Sequence, residues 1–83
     1  MDYTEKQKYT FRALKEILHL NYIVRNYSDQ IFGFINKPNK NRLYWSHWDW
    51  VDEDTGVILT SIDRDVFDFI NWEDEEPFEI PEV

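Results

Sequence analysis

The period of the apolar residues changes along the chain. Near the start, Phe11, Leu14, Ile17 and Leu18 recur at intervals of three and four, the spacing of one helical face. Just ahead, Thr4-Glu5-Lys6-Gln7 fits a capping box, in which the Thr4 hydroxyl accepts from the Gln7 N–H and the Gln7 side chain reaches back. A helix is expected over residues 5–19, with Lys8, Arg12 and Lys15 mostly off its apolar face and Asn21 as its stop. The pattern then turns to β-branched and aromatic residues. Residues 22–27 (YIVRNY) and 31–35 (IFGFI) predict two strands around a turn at 28–30. Gly33 predicts a bulge or a bulky neighbour pressed close.

Lys37-Pro38-Asn39-Lys40-Asn41 has loop composition. Residues 42–50 alternate as one strand, with Leu43, Trp45 and His47 on one face and Tyr44, Ser46, Trp48 and Trp50 on the other. Aromatics on both faces predict cover on both sides. Asp52 to Gly56 is a turn, and 57–60 a fourth short strand. Ser61 is placed to cap a brief helix with Asp63 in its first turn, anchored by Val66, Phe67, Phe69 and Ile70. From Asn71 to Val83, Trp72, Phe78, Ile80 and Val83 are separated by acids and two prolines, the pattern of a docked, extended tail. The expected fold class is α+β in a single domain, 1–83: an N-terminal helix packed on a meander of three or four antiparallel strands, a short helical turn, then an acidic tail.

Composition sharpens this picture. The 83 residues include no Cys, which excludes disulfides and thiolate metal sites, and 15 aromatic residues, which supply the core instead. No apolar run approaches a membrane span, and MDYTEKQKYT lacks the apolar stretch of a secretory signal, so neither is expected. The net charge is −8, divided unevenly. Residues 1–48 carry eight basic against four acidic side chains, net +4; residues 49–83 carry thirteen acids against Arg64 alone, net −12. Concentrated like charge opposes compaction, so it is either offset internally or kept for a positive partner. The same acidity disfavours direct binding to nucleic acid or an anionic membrane.

Catalytic chemistry finds little support. His19 and His47 lie far apart without metal-ligand spacing, and His19 at a helix end is accounted for by the dipole. Asp52-Glu53-Asp54 and Asp63-Arg64-Asp65 resemble short divalent-cation sites, but the first lacks the remainder of an EF-hand loop, and a solvated turn and a helix start outweigh that reading. There is no Gly-x-Ser-x-Gly serine, no phosphate-cradling loop and little room for a glycosidase cleft. Tyr44, Trp45, Trp48 and Trp50 have the ring content of a base-stacking strand, with Lys37, Lys40 and Arg42 before it, but the acids after it favour a core or protein-interface role. No cofactor, no metal and no enzymatic activity are expected. In the acidic segment, Phe67, Phe69, Trp72, Phe78 and Ile80 alternate with Asp68, Glu73, Asp74, Glu75 and Glu76; a purely solvating tail contains few aromatics. If the rings dock, the carboxylates stand on a fixed scaffold and can occupy a basic nucleic-acid channel.

The run Ser61-Ile62-Asp63-Arg64-Asp65-Val66-Phe67, continuing to Ile70-Asn71-Trp72-Glu73-Asp74-Glu75-Glu76-Pro77, resembles the C-terminal signature of small acidic proteins encoded by phages and prophages of Gram-positive bacteria. The resemblance covers about a quarter of the chain. It implies a phage accessory protein in the cytoplasm of a bacterial host. Anti-CRISPR and anti-restriction proteins are the analogy it brings. The expected function is therefore inhibition of a host nuclease, Cas9-type or restriction, by DNA-mimic occlusion of its basic site. The expected contacts are Asp49, Asp52, Glu53, Asp54, Asp63, Asp65, Asp68, Glu73, Asp74, Glu75 and Glu76, with Trp48, Trp50 and Trp72 as apolar anchors. The alternative is a non-enzymatic adaptor or a self-assembling protein, the basic half of one copy meeting the acidic half of another.

Overall fold

Thr4 starts the helix as its sequence predicts. Its Oγ1 accepts from the Gln7 N–H (3.1 Å), and Gln7 Oε1 accepts from the Thr4 N–H (2.9 Å). In the computed structural model, which describes residues 2–26, 28–44, 47–51, 56–62 and 64–83 (backbone path only for 40–44, 47–51 and 64), α1 runs Glu5–Leu18. It ends one residue short of the expected bound. His19 takes the left-handed conformation (φ 57°), and the Leu20 N–H turns back to the Leu14 carbonyl (3.1 Å), so His19 rather than Asn21 makes the stop. Phe11 and Leu14 are buried, but Ile17 is not. At about 100° per residue, Ile17 lies roughly 120° around the helix from Phe11, outside the face that meets the sheet.

The strands β1 (Tyr22–Arg25), β2 (Ile31–Phe34), β5 (Val57–Ile58) and β6 (Phe78–Glu79) form one antiparallel sheet in the order β5-β2-β1-β6. The protein is thus α+β, but its sheet is not a simple meander. Its outer strand beside β1 comes from the C-terminal segment, which carries a regular element where an irregular tail is expected. β1 ends two residues early. After one further main-chain bond, from the Asn26 N–H to the Gln30 carbonyl (2.9 Å), the buried Asn26 closes the loop with its Oδ1, which accepts from the N–H groups of Ser28 and Gln30 (both 2.9 Å).

Residues 39–51 depart further from expectation. The expected loop ends at Pro38, and the expected strand 42–50 is two: β3 (Asn39–Tyr44) and β4 (His47–Val51) pair as a separate antiparallel ribbon, with Tyr44 opposite His47. Alternation has the same period before and after a reversal, and the sequence between Tyr44 and His47 has no Gly, Pro, Asn or Asp, so the pattern did not mark the break. Whether aromatics there are covered on both faces lies outside the described residues.

The core lies between α1 and the four-stranded sheet. Phe11, Leu14, Leu20, Ile23, Ile31, Leu59, Val66, Phe67, Ile70 and Ile80 form one buried cluster. Gly33 lies on β2 where an added Cβ would stand 2.5 Å from Leu20 Cδ1 and 3.1 Å from Leu59 Cδ1, so the bulky-neighbour reading of this glycine holds. On the other sheet face, Val24 and Phe34 form a smaller cluster covered by Tyr22, Phe32 and Trp72.

Candidate acidic interaction surface

The C-terminal segment is held by its apolar residues. A 3₁₀ turn spans Arg64–Phe67; it begins three residues after Ser61, so Ser61 does not cap it, and Asp63 lies outside the described residues. Val66, Phe67, Ile70 and Ile80 are buried in the core. Phe69 and Phe78 stack edge to face, centroids 4.8 Å apart, and Tyr3 packs edge-on against Phe11 at 5.2 Å and Phe78 at 6.2 Å. β6 then pairs with β1, and the Ile80 N–H donates to the Asn21 carbonyl (2.8 Å).

The basic half does fold against this segment, but mainly through its main chain. Arg25 Nε donates to the Ile70 carbonyl (2.6 Å) and Nη2 to the Phe67 carbonyl (3.0 Å). Lys15 Nζ donates to the Ile80 carbonyl (3.1 Å) and Arg12 Nε to the Val83 carbonyl (3.1 Å). A segment with little internal hydrogen bonding leaves carbonyls to be satisfied, and long cationic side chains from α1 and β1 reach them. Glu82 also pairs with Lys15 (2.9 Å) and Glu76 with Lys37 (2.8 Å). The Glu76 carboxylate, by hydrogen bond first and by charge second, raises the Lys37 ammonium above its ordinary pKa. Arg25 is the residue that sequence reasoning passed over; its one signal is a charge interrupting the apolar run 22–27.

The expected site residues are only partly brought together. Asp68, Trp72 and Glu73 line one open cleft of about 310 Å³, along with Arg25, Asp29 and the amide side chains of Asn26 and Asn71. Arg25 pairs with Asp29 across it (2.5 Å). Asp68, Glu73 and Glu75 are exposed and make no ion pair with another described residue. Asp74 is exposed and accepts from the Asn71 N–H (3.0 Å). Asp65 lies apart, in a recess of about 270 Å³ beside Thr4, Lys6 and Gln7. Trp72 is half-buried against the sheet, so only part of its ring faces outward.

Asp49, Trp48 and Trp50 lie on β4. In the ribbon register Trp48 is opposite Arg42, Trp50 opposite Lys40 and Asp49 opposite Asn41. The cations that precede the tryptophans in sequence therefore take positions directly across from them. Asp52, Glu53 and Asp54 lie outside the described residues. Among the described residues, no group of three or more His, Asp or Glu side chains converges as a metal site, and no helix is long and apolar enough to cross a membrane. Comparison with protein-family models, curated proteins and solved structures finds no match to this chain.

Proposed function

We propose that this protein is a phage-encoded, non-enzymatic inhibitor acting in the bacterial cytoplasm, which occupies the basic nucleic-acid site of a host defence nuclease of Cas9 or restriction type. One observation carries the reading. The segment bearing Asp68, Glu73, Asp74, Glu75 and Glu76 is anchored through Phe67, Ile70 and Ile80, so its carboxylates stand on a fixed scaffold. Anions at fixed positions lose less freedom on binding than anions on a mobile chain, and they meet a complementary positive channel without reorganising. The cleft is lined by the Asp68 and Glu73 carboxylates together with the Trp72 indole, a setting that suits a partner's guanidinium. Self-assembly of basic half on acidic half is the weaker alternative, because Lys15 and Arg25 already hold the chain's own C-terminal segment.

The test is binding to a guide-loaded Cas9-type effector and to a restriction endonuclease across a salt series, with duplex DNA as competitor. Binding should weaken about tenfold or more from low to high salt, DNA should displace the protein, and Asp68→Asn with Glu73→Gln and Glu75→Gln should weaken it further. Binding indifferent to salt and to DNA would overturn the mimic.

A further inference from the structure

The outer side of α1 carries an apolar stripe that no other described residue covers. Tyr9 and Ile17 are 74% and 72% exposed, and with the half-buried Ala13 between them they fall at intervals of four, on one face. A shallow groove of about 160 Å³ runs along this face, bordered by Arg12 and Glu16. The acidic cleft described above shares no residue with it.

We infer that this face pairs with the same face of a second copy, the two helices running antiparallel with Ala13 opposite Ala13. Charge complementarity selects this occupant. At about 100° per residue, Arg12 and Glu16 lie on the same flank of the stripe. The dyad of an antiparallel pair lies in the interface, so that flank meets itself in the partner. With Ala13 on the dyad, Tyr9 faces the second copy's Ile17. Each Arg12 sits about 3 Å along the axis from the second copy's Glu16. Helical side chains lean toward their own N-terminus, which tilts the two arginines away from each other and toward the opposing glutamates. Arg12 uses Nε on the Val83 carbonyl and keeps its two Nη groups for such a partner. Ala13 at the crossing lets the axes approach to the near end of the usual separation of about 8–10 Å.

The five residues along this groove are far fewer than the roughly 20–30 a side of a standard interface, so the pair is weak and dissociates on dilution. Sedimentation of the full chain should show 10.3 kDa at about 10 µM and a mass moving toward twice that at about 1 mM. Ile17→Glu, at an exposed position, should remain a monomer at the higher concentration. Arg12→Glu and Glu16→Arg should each be monomeric alone, because each places four like charges on the shared flank. Their equimolar mixture should associate again, at least as strongly as the natural chain. A natural chain that stays monomeric at about 1 mM would overturn the pairing. So would two charge variants, each folded by circular dichroism, that fail to associate when mixed.

Discussion

Helix α1 and the C-terminal segment 64–83 bury apolar side chains in the same core, yet they are held by opposite means. α1 satisfies its backbone internally, and its ends are closed by Thr4 and His19. The C-terminal segment contains one short turn and two strand residues, and much of its backbone is met by donors from elsewhere: Arg25, Lys15, Arg12 and Gln7. The difference explains how a net +4 half and a net −12 half can pack together without cancelling. Cations that bind carbonyls dock the segment, while most of its carboxylates stay outward.

The largest way to break the comparison is Phe67→Ala. Phe67 is fully buried at the junction of turn and core, and its loss should cost about 3–5 kcal/mol. In a domain with about 5–15 kcal/mol in total, this leaves a marginal fold. Denaturant unfolding should show the midpoint fall, and the Ile80 amide, bonded to Asn21, should lose its protection from hydrogen exchange.

Arg25→Met tests the borrowed donors directly. It keeps an apolar stem but strips the Phe67 and Ile70 carbonyls of a charged partner, for about 1.5–3 kcal/mol. Loosening should be concentrated in residues 64–74, read by amide exchange, while α1 keeps its protection. Equal loss in both regions would mean that the two are one cooperative unit rather than two differently held ones.

On the helical side, Thr4→Ala removes the box and should cost about 1 kcal/mol, seen as a lower melting temperature by circular dichroism. The effect should be smaller than that of Arg25→Met, because the rest of the helical ladder remains.

The smallest effect belongs to Lys37 and Glu76, a solvent-exposed pair. The raised Lys37 pKa means that its contribution is fully present below the ordinary lysine value of 10.5 and is lost as pH rises through the higher folded value. A small melting-temperature gap between the natural chain and Lys37→Met should therefore persist at neutral pH and close only in strong alkali.

Helix α1 was legible because its signals are local: a cap, a period of 3.6 and a reach of a few residues. The anchoring of the C-terminal segment was legible from rings interleaved with acids, since aromatic residues seek burial whatever lies beside them. The ribbon β3–β4 was misread as one strand, because alternation is blind to a reversal that no Gly, Pro, Asn or Asp marks. Arg25 was passed over because its partners are carbonyls more than forty residues away, and carbonyls leave no mark in a sequence.

By itself, then, the sequence determined the α+β class, the capped helix, the apolar anchors and the division of charge, all of which follow from composition and short-range spacing. Tertiary structure alone decided that β6 would flank β1, that Ile17 would face outward, and that the cations of α1 and β1 would bind backbone rather than most of the carboxylates. Those outcomes depend on which distant groups arrive within hydrogen-bonding reach, and only the packed chain brings them there.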